Sequence, residues 1–221
     1  MRQLLEKRNE FVGLKFEMKN DLSAIRHVAL DMDGTIYKGG TLFDFTKPFL
    51  SLMDELGIGY TFLTNNPSKS CDDYLKHLRK IGIEADESQL YTSTQCTIEF
   101  LQKQYPGAKR IFALGTPSMC QQFVEAGFIL TEDSHLDEPE IVVVAFVMTL
   151  SYARLCRASY WIKQGKPFIA TNPDRICPTD QPTVLVDCGA ICAALEKATG
   201  RAPDTVLGKP DPGMLAGILQ R

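Results

Sequence analysis

The segment "HVALDMDGTIYKGG", residues 27–40, decides how the rest of the chain is read. A short apolar run, His27–Leu30, ends in two aspartates one residue apart, Asp31 and Asp33, with Gly34 directly behind. If the strand continued, both carboxylates would point the same way, because strand side chains alternate with period two. Gly34 then permits a sharp turn. Asp-Gly is also a strong hairpin signal, so the segment alone fits a plain turn equally well. Two carboxylates this close repel and are costly unless a cation binds or one keeps a proton. In a catalytic setting one would act as nucleophile while the other exchanges a proton with the leaving group.

Working outward, strand and helix patterns alternate. Helical patterns are expected over 45–56, 70–80, 94–105, 117–126, 151–164 and 190–199, with a last one running to the C-terminus. Several stop at a glycine (Gly57, Gly82, Gly127, Gly200), the residue most tolerant of a left-handed helix end. Apolar or β-branched strand patterns fall at 59–64, 110–114, 128–131, 140–147, 167–171 and 205–207, and 172–182, with three prolines, reads as irregular. Such alternation implies an α/β fold with a largely parallel sheet covered on both faces. Ligands then bind at the carboxyl ends of the strands.

Three polar clusters sit at strand ends: DMDGT (31–35), TNN (64–66) and GKP (208–210). Thr64, Asn65 and Asn66 offer a hydroxyl, amides and backbone N–H groups to an anion, although an Asx turn with helix capping has the same composition. Lys209 adds a cation held between a glycine and a proline, where a solvated surface lysine is the plain alternative. Together they supply a carboxylate nucleophile, an acid/base partner, neutral donors and a positive charge. That set suits phosphoryl transfer, in which the protein chiefly positions groups and stabilises charge.

Composition limits the other classes. With 221 residues and 44% hydrophobic content, the chain can build one sizeable domain or two small ones. A net charge of -3 gives no electrostatic footprint for nucleic acid or an anionic membrane. The seven cysteines show no CxxC or zinc spacing and read as buried, reduced thiols. Three widely separated histidines disfavour a His-based metal site or a Ser-His-Asp hydrolase. The charged N-terminus does not look like a secretory signal, and the longest apolar stretch, Ile141–Val147, is far short of the ~20 residues that span a bilayer. A soluble cytoplasmic protein is expected.

The motif set also resembles a known family. DMDGT, then LTNN, then GKP are similar to the first three motifs of the haloacid dehalogenase-like phosphatases. "FLTNNPSKS", "YTSTQCTIEFL", "GKPFIATNPD", "CGAICAALEKATGR" and "GKPDPGML" narrow the resemblance to the NagD-like branch, from about residue 25 onward. The resemblance implies a Rossmann-like parallel core with an inserted α/β cap domain. It implies a small phosphate monoester as substrate, such as a sugar phosphate, phosphoglycolate or pyridoxal phosphate. Asp31 would form an aspartyl-phosphate, and Asp33 would protonate the leaving oxygen and then activate water. Thr64, Asn65, Asn66 and Lys209 would bind the phosphoryl group. Mg2+ would sit on the Asp31 carboxylate and the Asp33 backbone carbonyl, as a hard cation with oxygen ligands should. Asp33 argues against the dehalogenases of the superfamily, which lack that second aspartate.

Motif spacing places the cap at about 85–182, between core segments 22–84 and 183–221, with only a small flap after Gly34 and an N-terminal arm over 1–21. Cap residues Asn172 and Asp174 are candidate leaving-group contacts. The family often has an aspartate where this chain has Val147, and it carries a further Gly-Asp cluster downstream of GKP that completes the metal site. No such cluster follows Lys209 in the 221 residues, so an incomplete core, an edge position for the Asp31 strand and a C-terminally truncated chain are expected. Two alternatives to hydrolysis stay open: a non-catalytic paralogue that binds a phosphorylated ligand or a protein partner, and a phosphotransferase that shields its aspartyl-phosphate from water. Self-association through the cap or the arm (Leu4, Leu5, Phe11, Val12, Leu14, Phe16) is a further possibility.

Overall fold

The computed structural model describes residues 24–179 and 181–219; the expected N-terminal arm lies outside them. Two separate parallel sheets organise the described residues. The first has three strands in the order β1-β4-β5: β1 (His27–Asp31), β4 (Gly59–Thr64) and β5 (Leu90–Thr92). Its register sets Asp31 beside Leu63 and Thr64 beside Thr92, so the polar clusters at 31–35 and 64–66 emerge from the same sheet end. Among the described residues β1 is paired only with β4 and forms the sheet edge, with His27 and Ala29 exposed.

Alternation along the strands divides the packing. Phe62 and Leu90 face one side, with Leu30, Met53, Tyr74 and Leu78, under helices α1 (Thr46–Glu55) and α2 (Cys71–Lys80). Ser70 and Asp73 cap α2 reciprocally, which fixes its start immediately after the TNN cluster. Leu63 and Tyr91 face the other side against Cys96 of α3 (Ser93–Gln104) and Met214 of α7 (Pro212–Leu219). Gly217 permits this contact, since a β-carbon there would lie 2.1 Å from the Tyr91 hydroxyl. After Gly34 the chain makes only a small antiparallel flap, β2 (Tyr37–Lys38) with β3 (Thr41–Leu42).

The second sheet has five strands in the order β12-β9-β8-β6-β7: β6 (Arg110–Leu114), β7 (Ile129–Leu130), β8 (Ile141–Val144), β9 (Phe168–Ala170) and β12 (Thr205–Val206). Every pair in it is parallel. Phe112, Leu114, Val142 and Val144 pack on α5 (Tyr152–Lys163) and α6 (Cys188–Thr199), and Val147 packs against this cluster. Ile111, Ala113, Ile141 and Val143 pack on α3 and α4 (Pro117–Glu125). β8 is buried on both faces, which is why it reads as an unbroken apolar run.

Sheet membership does not follow the boundaries expected from motif spacing. β5 was expected in the insertion yet hydrogen-bonds to β4, while β12 and α6 were expected in the core yet belong with the second sheet. We propose that the inserted unit runs from α3 to β12, with α3 shared between the two packing clusters. β5 escapes a pattern reading because it is three residues long and runs straight into a helix whose cap, Thr92, is its own last residue. Part of the segment read as irregular is the hairpin β10 (Ile176–Cys177) with β11 (Leu185–Val186). Four of the seven cysteines are buried as expected; Cys71 and Cys120 are half-buried and Cys156 is exposed. No helix of the described residues is long and apolar enough to cross a membrane.

Phe62 is fully buried at the centre of the first sheet. Phe62→Ala should therefore cost about 3–5 kcal/mol through lost transfer energy and the cavity left behind, read as a lower urea midpoint.

Candidate active site

β1 delivers Asp31 at its end, and the next residue, Met32, turns fully into the core. Gly34, at φ +86°, reverses the chain so that its N–H donates to the Tyr37 carbonyl at 2.7 Å. This turn leaves Asp31 and Asp33 facing one cavity of about 440 Å³. The Asp31 carboxylate accepts from Lys209 Nζ on one oxygen and from Thr35 Oγ1, at 2.7 Å, on the other. Both members of the Lys209–Asp31 pair are partly exposed, so its stabilisation is only about 0–1 kcal/mol. Its importance is positional: a cation is held beside a carboxylate at the mouth of β1. Burial pushes the Asp33 carboxyl above the usual range; Lys69 pulls it down, Asp31 pushes it further up and Lys209 pulls it down. A carboxyl group shifted upward is suited to carrying a proton.

The residues of the TNN cluster have different surroundings. Thr64 is buried and its hydroxyl accepts the Asn66 N–H at 3.1 Å. Asn66 accepts from the Ser68 N–H through its side chain and from the Tyr74 hydroxyl through its carbonyl, and its amide reaches the Cys177 sulfur at 3.6 Å. Asn65, one of the residues expected to bind phosphate, lines the cavity, and its side-chain amide bonds to the GKP loop and to Asp174. Its Oδ1 accepts the Lys209 N–H at 2.6 Å, while Nδ2 donates to the Lys209 carbonyl at 3.0 Å and to Asp174 at 2.9 Å. Both backbone groups of Lys209 are thus fixed by one amide, which sets the direction from which its ammonium meets Asp31.

Asn172 also differs from expectation. It is fully buried and does not line the cavity. Its Nδ2 lies 3.3 Å from carboxylate oxygens of both Asp174 and Asp187, and its Oδ1 accepts from the Thr171 hydroxyl at 2.9 Å. Asn172 therefore orients two carboxylates, and of the pair expected to meet the leaving group only Asp174 lines the cavity. Asp187, Ile176, Cys177 and Pro178 line the cavity although no site pattern in the sequence marks them. Asp187 had one readable signal: it is the N-cap of α6, accepting the Cys188 N–H, so that helix begins earlier than its apolar pattern suggests. Burial pushes the Cys177 thiol up to about 11, with Asp187, Asp33 and Asp174 adding to the shift, which leaves it neutral.

The cavity thus joins the ends of β1 and β4, the GKP loop and the β9–β11 region around Asp31, Asp33, Thr64 and Lys209. A carboxylate, a second carboxyl group with a raised affinity for protons and a cation around one cavity suit displacement at a phosphoryl centre. Two substitutions test the junction. Asn65→Ala strands both backbone groups of Lys209 and should cost about 1–3 kcal/mol. Gly208→Ala should also destabilise, because Gly208 has φ +76° and an added β-carbon would lie 2.9 Å from the Thr171 carbonyl oxygen. Denaturation midpoints measure both.

Comparison with known proteins agrees with this geometry. The family model described as haloacid dehalogenase-like hydrolase matches residues 28–129. An acid sugar phosphatase of Staphylococcus aureus is 31% identical over 191 residues, covering 86% of this chain and 71% of the relative. Among solved structures, a 4-nitrophenylphosphatase from Thermotoga maritima superposes with a TM-score of 0.83 at 36% identity, covering 90% of this chain and 74% of that one. NagD from E. coli superposes with a TM-score of 0.77 at 29% identity, covering 89% and 74%. A glycerol phosphate phosphatase from Mycobacterium tuberculosis in complex with magnesium gives 0.81 at 29% identity, covering 89% and 58%. With the two aspartates, the TNN cluster and Lys209 gathered at one sheet end, the chain belongs to the haloacid dehalogenase-like hydrolases, in their NagD/p-nitrophenylphosphatase branch.

Proposed function

We propose that this protein hydrolyses small phosphate monoesters through an aspartyl-phosphate on Asp31. The observation that carries the reading is the Lys209 ammonium on the Asp31 carboxylate, with Asp33 and Thr64 lining the same cavity. An Asp31 oxygen attacks phosphorus and the bond to the ester oxygen breaks. Asp33 gives its proton to that leaving oxygen, for which its upward-shifted carboxyl is suited. With the alcohol gone, Asp33 takes a proton from water, the resulting hydroxide attacks phosphorus, and the bond to Asp31 breaks to release inorganic phosphate. Lys209 and Thr64 offset the charge on the phosphoryl oxygens throughout.

The donor set also fits magnesium. The Asp31 carboxylate and the Asp33 backbone carbonyl are hard oxygens, and Mg2+ is usually held by one or two carboxylates together with substrate phosphate and water. Among the described residues no group of three or more His, Cys, Asp or Glu side chains forms a metal cluster. When bound, the ion supplies positive charge at the phosphoryl group.

p-Nitrophenyl phosphate turnover tests the reading. Hydrolysis should need Mg2+, stop on chelation and return on Mg2+ addition. Asp31→Asn should reduce turnover to background, and Asp33→Asn should lower kcat by about 10²–10⁴-fold. Turnover unaffected by Asp31→Asn would overturn the proposal; phosphate binding without any turnover would favour a non-catalytic binder.

A further inference from the structure

The wall of the cavity opposite β1 and β4 is unusual in its charge. Asp31, Thr64 and Lys209 mark where the phosphoryl group sits, which leaves Asp174, Ile176, Cys177, Pro178 and Asp187 to face whatever the phosphate is attached to. Asp174 Oδ2 is held by Asn65 and Asn172, and Asp187 Oδ1 by the Cys188 N–H and Asn172. All three donor groups are uncharged, so these bonds fix the two carboxyl groups in place without supplying a counter-charge; burial pushes the Asp187 carboxyl up, the Cys188 N–H and the Asn172 amide pull it down, and Asp174 pushes it further up. Cys177 is a neutral thiol on the same wall. Lys209 is the one cationic residue lining the cavity among the described residues, and it is paired with Asp31. Lys69 lies close enough to act on Asp33 and Cys177, but its ammonium rests over the Tyr74 ring, 5.4 Å from the centroid, and it does not line the cavity. Arg175, between Asp174 and Ile176, is exposed and does not line it either.

We propose that this wall selects for charge: it accepts leaving groups that carry hydroxyls or an amine and rejects those that carry a carboxylate or a second phosphate, with Asp174 and Asp187 as the specificity-determining residues. A hydroxyl or ammonium donates to a fixed carboxylate in a charge-assisted hydrogen bond. An anionic leaving group finds like charge and no cation to pair with, which discriminates by repulsion. Ile176 and Pro178 supply a carbon surface beside these acceptors, suited to the backbone of a short polyol. Of the substrates implied by family resemblance, sugar phosphates fit this wall and phosphoglycolate does not. The inference rests on the phosphatase reading and narrows it.

A nearly isosteric pair tests it on the full chain with Mg2+: 2-hydroxyethyl phosphate against phosphoglycolate, with p-nitrophenyl phosphate as reference. The hydroxyl ester should exceed the carboxylate ester in kcat/KM by roughly 100-fold, since like-charge juxtaposition is worth several kcal/mol. In the double variant Asp174→Asn, Asp187→Asn this ratio should fall at least ~10-fold, the equivalent of about 1.4 kcal/mol. Comparing two substrates within one variant cancels any general loss of folding or turnover. A wild-type ratio near one, a preference for phosphoglycolate, or a ratio unmoved by the double variant overturns the inference while p-nitrophenyl phosphate turnover leaves the phosphatase reading standing. If nothing is turned over, the phosphatase reading fails, and calorimetric affinities for the two esters decide the selection itself: tighter binding of the hydroxyl ester supports it, and equal or reversed affinities refute it.

Discussion

One side-chain amide holds the site together. Asn65 at the end of β4 bonds both backbone groups of Lys209, 144 residues away in sequence, and its remaining donor hydrogen goes to Asp174 of the inserted unit. Its own carbonyl accepts the Ser93 hydroxyl, where the chain leaves the first sheet. Asn65 therefore touches three segments: the first sheet, the GKP loop and the cavity wall that carries Asp174. Gly208 is part of the same constraint, since only a residue without a side chain lets that loop pass so close to Asn65, Thr171 and Asn172.

The two sheets contribute in different ways. The register of β1 against β4 sets the spacing of Asp31 and Thr64, so this end of the cavity is a property of parallel strand geometry. The opposite side of the cavity is a property of the second sheet, where β9 is followed by the buried pair Thr171 and Asn172 and then by Asp174. Asn172 spreads its amide between two carboxylates, so one fully buried side chain shapes the charge of the wall without touching the cavity.

Legibility in the sequence followed the range of each interaction. Helix patterns with caps and glycine stops were readable because their determinants lie within a few residues, as in the Ser70–Asp73 capping box. The strand-end motifs were readable because the residues themselves are chemically rare in combination. β5 and the β10–β11 hairpin were not, because each is so short that pairing with a distant strand decides its conformation. Asp187 was hidden for the same reason: its capping role is local, but its place on the cavity wall depends on α6 packing under the second sheet.

The sequence by itself determined the alternating α/β pattern, the parallel arrangement and the candidate residues Asp31, Asp33, Thr64 and Lys209, which the fold brings to one cavity. Those follow from periodicity, short-range capping and the chemistry of individual side chains. Only the tertiary structure decided which groups Asn65 and Asn172 bond to, which carboxylates line the cavity, and where the first sheet ends and the second begins. Each of those depends on hydrogen bonds between residues far apart in the chain, and an amide's partners are set by which backbone and carboxylate groups the fold brings within 3 Å of it.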